Sequence, residues 1–176
     1  MMNRSDQTLA IRALKSAAPY IRMYKGKTFV VKAGGGVFGD IESTRVLVEQ
    51  IAILHYFGVR VVMVHGGGPQ VTELQSALGL EARMVHGRRV TDEKSIDVTA
   101  MVLSGLINTR ILSICRQLNI DAIGISGVDA GLIRAHRRSP VKMDDGQTVD
   151  YGFVGDVVGV DTTVIRKLLD NGLMPV

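Results

Sequence analysis

The stretch Val59-Arg-Val-Val-Met-Val-His-Gly-Gly-Gly-Pro-Gln70 constrains this chain more than any other. Its opening is a β-branched run bounded by glycine, which reads as a strand buried on both faces. The run breaks at His65-Gly66-Gly67-Gly68 and restarts as a helix, with Val71, Leu74, Ala77 and Leu78 at helical spacing. Pro69 occupies a first-turn position that needs no N–H. A strand that bends through three glycines into a helix aims several backbone N–H groups and the positive end of a helix dipole at one place. Such a turn is built to hold an anion.

A second glycine-rich bend precedes it. Gly26-Lys-Thr-Phe-Val-Val-Lys32 reads as the first strand and Ala33-Gly-Gly-Gly-Val-Phe-Gly-Asp40 as its turn. A helix from about Glu42 to Phe57 follows, carrying Val46, Ile51, Ile53 and Leu54 and stopped by Gly58. This βαβα order predicts an α/β fold, a three-layer α/β/α sandwich around a mainly parallel central sheet. Ligands of such sheets collect at the carboxyl ends of the strands, where both bends fall. Lys32 stands immediately before Ala33 and the glycines and can set a cation beside a phosphoryl group. Charge neutralisation of that kind is most of what a phosphoryl-transfer site supplies. Neither bend carries the phosphate-binding Gly-x-x-x-x-Gly-Lys signature, and Gly34, Gly36 and Gly39 only partly mimic a dinucleotide turn, which stays open on spacing alone.

Downstream, residues 80 to 91 form two short alternating runs joined at His86-Gly87, a small β-hairpin flap. Thr91 or Asp92 caps a long helix from about Glu93 to Leu118, buried through Ile96, Val98, Met101, Val102 and Leu106, with Gly105 at a kink or close contact. Asp121 to Ser126 reads as a strand ending in the small-residue turn Gly127 to Gly131. Leu132 to Ala135 and Phe153 to Val160 read as strands flanking a polar loop, Arg137 to Asp150, with Asp145-Gly146 at its turn. Thr162 or Thr163 caps a short helix, Val164 to Asp170, and Leu173 to Val176 starts a further strand, an ending expected of a truncated chain. At the other end, Thr8 to Tyr24 is one amphipathic helix or two divided at Pro19.

With 176 residues, 46% of them apolar, the chain can bury one core. No apolar run approaches the roughly 20 residues of a membrane span, and Met1 to Lys15 lacks the apolar centre of a signal peptide. A soluble, cytoplasmic protein is expected, with no membrane partner. The net charge of +4 is spread along the chain, and with four Phe and four Tyr there is no stacking platform. Small anionic ligands account for it better than nucleic acid does. The lone Cys115 falls in the apolar pattern Ile107, Ile111, Ile114, Leu118, so it reads as a packed thiol. No internal disulfide or multi-cysteine zinc site can form, and no metal ligands are assigned.

Three ordered motifs, Val30-Val-Lys-Ala-Gly-Gly35, Val64-His-Gly-Gly-Gly-Pro-Gln70 and Gly87-Arg-Arg-Val-Thr-Asp92, resemble the N-terminal lobe of the amino acid kinase family. The nearest resemblance is to its members that phosphorylate the γ-carboxylate of N-acetyl-L-glutamate with ATP, and it runs from about Ala18 to Val176. It implies a catalytic role for Lys32, steadying the transferring phosphoryl group, with Gly35 beside it. Gly67 and Gly68 are similar to the substrate-binding pair, Gly67 also lining the phosphoryl site. Arg89 is similar to the arginine that grips a substrate carboxylate, a task suited to a bidentate guanidinium. Arg88 has no such role, and His65 and His86 read as hydrogen-bonded supports, because a carboxylate attacking phosphorus needs no general base.

The resemblance also implies ATP with Mg2+, its nucleotide site largely outside this chain. Residues 1–25 would be a helical extension and 26–176 the substrate-binding lobe, without the C-terminal nucleotide lobe and inactive alone. The extension resembles the helix that interlaces subunits in arginine-inhibited members, implying a homo-oligomer, through this helix and sheet-edge helices, with arginine a candidate inhibitor. The alternative is the arginine-sensing, kinase-like regulatory domain of an N-acetylglutamate synthase. The intact lysine and triple glycine favour the kinase. A kinase of aspartate, glutamate or carbamate is more distant, and the Arg89 motif argues against it.

Overall fold

The computed structural model describes residues 4–81, 83–143 and 146–176. Strands β1 (Thr28–Ala33) and β2 (Arg60–His65) pair in parallel, Thr28 opposite Arg60 through Ala33 opposite His65. Helix α2 (Ile41–Tyr56) is their crossover, capped by the Asp40 carboxylate, which accepts from the Ser43 N–H at 2.7 Å. Its buried residues are Thr44, Val48, Ile51 and Ala52, while Val46 and Ile53 are exposed. A threonine and an alanine thus share its inward face with Val48 and Ile51.

After β2 come α3 (Gly68–Ala77), the short strands β3 (Met84–Val85) and β4 (Arg88–Arg89), and α4 (Glu93–Ala100). A π-helical segment, Met101–Ile107, joins α4 to α5 (Asn108–Gln117). Asp92, not Thr91, caps α4, accepting from the Ser95 N–H at 2.8 Å. Gly105, read as a kink or a close contact, lies within the π-helical irregularity and faces open space. Strand β5 (Ala122–Ile123) is shorter than expected; β6 (Ile133–Arg137), β7 (Val141–Lys142), β8 (Thr148–Val149), β9 (Gly155–Val160), α6 (Thr163–Asp170) and β10 (Met174–Pro175) complete the chain.

β10 pairs in parallel with β5, and it lies beside β2 without a hydrogen-bonded register among the described residues. The sheet is therefore two adjoining parallel pairs. Val61 and Met63 point into the core, but Val64 on the other face is 44% exposed, so β2, expected to be buried on both faces, is fully buried on one, and Val30 of β1 is 68% exposed. Helix α6 stands on the second face, where Ile165 shares a cavity with Val62 and Val64. Asp161 tethers its start, its carboxylate accepting from the Thr163 N–H at 2.9 Å, in place of either threonine hydroxyl.

The core joins Val48 and Ile51 of α2, Val61 and Met63 of β2, and Ile107, Ile111, Ile114 and Cys115. Each such side chain contributes roughly 1.5–3 kcal/mol on burial. Burial pushes the Cys115 thiol up to about 11, as expected of a packed cysteine. By length and composition the continuous helix Glu93–Gln117 could cross a membrane, yet Val98, Val102 and Ile111 on its inner face belong to this core.

Two flaps flank the sheet. β3 and β4 form the expected hairpin, its turn made by His86 and Gly87 at φ 48° and 74°, the left-handed geometry of a two-residue connection. β6 and β9 pair antiparallel with an irregularity after Arg134, and β7 with β8 adds a hairpin inside the loop expected only to be polar. Asp145, placed at that turn by the sequence, lies outside the described residues. Helix α1 (Arg4–Tyr24) is one element through Pro19, with Leu9, Ile11 and Leu14 exposed.

Candidate active site at the two glycine turns

The two bends touch. The Gly66 N–H donates to the Ala33 carbonyl at 2.9 Å, extending the parallel ladder into the turns. A Cβ at Gly35 would lie 2.9 Å from Pro69 Cδ, 3.0 Å from Gly67 Cα and 3.1 Å from Gly67 N, so this approach requires glycine. Gln70 clamps the junction, its Nε2 donating to the Gly35 carbonyl at 2.8 Å.

Gly67 is the N-cap of α3 and brings no side-chain cap. The first-turn amides are thus left for an outside acceptor. Behind it stands the π segment: a Cβ at Gly67 would fall 2.5 Å from Ile107 Cδ1 and 2.6 Å from Leu103 Cδ2. Extra-residue bulges of this kind recur at functional sites, and Leu103 and Ile107 of this one pack against the turn at Gly67.

In front of the turn is a pocket of about 250 Å³ that brings together Gly67, Gly68 and Arg89, with Thr99 and Phe153 on its walls. Arg89 reaches it from the β3–β4 hairpin. Its Nη1 donates to Gln75 Oε1 and its Nη2 to Thr72 Oγ1, both on α3. Among the described residues these take two of its five N–H donors, and the remainder suit a carboxylate.

Lys32 is not in the wall of this pocket. It lies three residues before Gly35, opposite Val64, exposed on the sheet face that carries Val30. Among the described residues nothing pairs with its ammonium.

His65 is a support. Its Nε2 lies 3.4 Å from the Asn108 amide nitrogen, its Nδ1 3.5 Å from the Gly66 carbonyl, and Phe38 meets its ring edge-on. Burial pushes its pKa down, which favours the neutral ring. His86 serves as a turn residue. A larger cavity, about 340 Å³, lies between β2 and Val176, but its walls are mainly Val62, Leu132, Ile165 and their like, with no charged group to hold an acid.

The sequence reading missed Gln70 and Gln75, which with Val71 form the buried face of α3, while Leu78 is exposed. Apolar spacing gives no weight to glutamine. Asn108, buried and donating to the Val176 carbonyl at 3.1 Å, was missed for the same reason. The turn amides that Gly67 leaves uncapped suit a phosphoryl oxygen. The described residues contain no cluster of three or more His, Cys, Asp or Glu side chains that would themselves hold Mg2+.

The family model of the amino acid kinase family matches residues 27–176. The chain belongs to the amino acid kinase family. It is 44% identical over 169 residues to the acetylglutamate kinase of Myxococcus xanthus, an alignment covering 93% of this chain and 55% of that protein. With the acetylglutamate kinase of Symbiobacterium thermophilum it shares 43% over 164 residues, 93% of this chain and 56% of the relative. The chain thus spans about half the length of these relatives. Among solved structures, the N-acetylglutamate synthase of Neisseria gonorrhoeae, complexed with coenzyme A and N-acetyl-glutamate, matches at a TM-score of 0.73 and 27% identity, over 94% of this amino acid kinase chain and 37% of that one.

Proposed function

We propose that this chain is the substrate-binding lobe of an acetylglutamate kinase, which phosphorylates the γ-carboxylate of N-acetyl-L-glutamate with ATP in arginine biosynthesis in the cytoplasm. The observation that carries the reading is the pocket shared by Gly67, Gly68 and Arg89, with Gly35 in contact with its back wall. Residues 26–176 form this lobe and residues 1–25 the helical extension, whose exposed Leu9, Ile11 and Leu14 suit contact with a second copy.

Arg89 holds one carboxylate of the substrate and thereby orients the other toward the glycine junction. A γ-carboxylate oxygen attacks the terminal phosphorus of ATP; the new O–P bond forms as the bond to ADP breaks, giving an acyl phosphate. The nucleophile is already an anion, so no proton is removed, which agrees with the supporting place of His65. Lys32, the turn amides and the α3 N-terminus stabilise the charge on the transferring group. Mg2+ would be held by groups beyond this set, and no step is assigned to it.

The structural likeness to an N-acetylglutamate synthase favours a second reading, an arginine-binding regulatory domain. Lys32 and the open Gly66-Gly67-Gly68 turn are machinery such a domain does not need. Trapping of acyl phosphate as a hydroxamate separates the two. The full-length product should form it from N-acetyl-L-glutamate and ATP, and acetyl transfer from acetyl-coenzyme A without hydroxamate would establish the synthase instead. In the kinase, Arg89→Ala should raise KM for N-acetyl-L-glutamate about 10–100-fold, as loss of hydrogen bonds to a charged group does, with KM for ATP unchanged. Unaltered constants would remove Arg89 from the site.

A further inference from the structure

We propose that Gln75 is a positioning residue for substrate recognition, holding the guanidinium of Arg89 in register with the Gly67–Gly68 turn. Gln75 is 0% exposed, an amide enclosed where the apolar spacing of α3 expects a hydrophobe. Both ends of the amide are engaged: Nε2 donates to Ser95 Oγ at 2.9 Å, and Oε1 accepts from Arg89 Nη1. Arginine has no acceptor, so the oxygen of the amide must face it and the nitrogen must face Ser95. Ser95 is fixed in turn, its N–H on the Asp92 carboxylate at 2.8 Å and its carbonyl accepting from Thr99 Oγ1 at 2.7 Å. A polar chain therefore runs from the start of α4 through the interior to the arginine.

The consequence is geometric. Thr72, which takes the other Nη of Arg89, also belongs to α3, the helix that begins at Gly68. One rigid element thus carries the pocket's backbone amides and both anchors of its cation. The spacing between the two ends of the grip is set by a helix, although Arg89 itself sits on a two-residue strand of an exposed hairpin. Without Gln75 the guanidinium would keep its charge but lose the anchor that aims its free N–H groups into the pocket. This assignment rests on the acetylglutamate reading of that pocket.

A double-mutant cycle in the full-length kinase tests it. Gln75→Met keeps the length of the side chain and removes both hydrogen bonds. KM for N-acetyl-L-glutamate should rise about tenfold, while kcat and KM for ATP stay within about twofold. In an Arg89→Met background the same substitution should add less than about twofold, because the partner it acts through is gone. Ser95→Ala should give a smaller rise, about threefold, and should be equally silent in that background. If Gln75→Met fails to fold, the Ser95→Ala cycle decides. An unchanged KM in Gln75→Met, or an effect that multiplies with that of Arg89→Met, would overturn the positioning role and leave the function standing. If Arg89→Met itself leaves KM unchanged, the reading of the pocket falls, and the role of Gln75 with it.

Discussion

Replacing Lys32 by alanine in the full-length kinase is expected to lower kcat about 10²–10³-fold, the usual cost of removing one preorganised charge-stabilising group. KM for N-acetyl-L-glutamate should change little, since Lys32 does not line the pocket that holds Arg89. Thermal stability should not change, because the side chain is exposed and nothing among the described residues pairs with it. The combination is diagnostic: a residue that contributes nothing to the fold and much to turnover is there for the reaction. Lys32→Arg should recover only part of the rate, since a planar fork does not replace a compact ammonium. Turnover unaffected by Lys32→Ala, measured as hydroxamate formed per second, would dismiss the assignment.

The second large effect is expected at Gly35. A methyl group there meets the Pro69 ring at 2.9 Å and the Gly67 backbone at 3.0 and 3.1 Å, and neither can swing aside as the end of a long side chain could. Gly35→Ala must therefore wedge the two turns apart and pull the Gly35 carbonyl away from Gln70. Overpacking of this kind costs about 1–3 kcal/mol of stability. Displacement of the phosphoryl cradle should also lower kcat by about 10²-fold, the scale associated with misplacing reacting groups by about 1 Å. Gly36→Ala is the internal control, since a Cβ there meets nothing within 4 Å. Equal activities for the two variants, with melting temperatures to match, would show that contact between the turns is not needed.

The parallel pairing of β1 and β2, both glycine turns, the His86-Gly87 hairpin and the cap at Asp92 could be traced to local signals: β-branched runs, glycine, and short polar residues before apolar periodicity. What the sequence did not disclose depends on partners distant along the chain. The inward face of α2 includes Thr44 and Ala52, which apolar spacing does not weigh, and Val30 and Val64 remain exposed. The π segment has no signature in composition, since its residues suit an α-helix equally well. Lys32 could be singled out from its place before the glycine turn, whereas Gly35, Gly67, Gly68 and Arg89 were named through the resemblance to the amino acid kinase family. The glutamines behind them could not, because a buried amide is defined by its hydrogen bonds to Gly35, Ser95 and Arg89, which only the fold brings near.

The central claim, that the Gly67–Gly68 turn and Arg89 together form a receptor for an acidic amino-acid derivative, is tested most directly by titrating the 176-residue chain with N-acetyl-L-glutamate in a calorimeter. Saturable one-site binding of N-acetyl-L-glutamate that disappears in Arg89→Ala is the predicted result. Saturation by L-arginine alone, or N-acetyl-L-glutamate heats that survive Arg89→Ala unchanged, would contradict it.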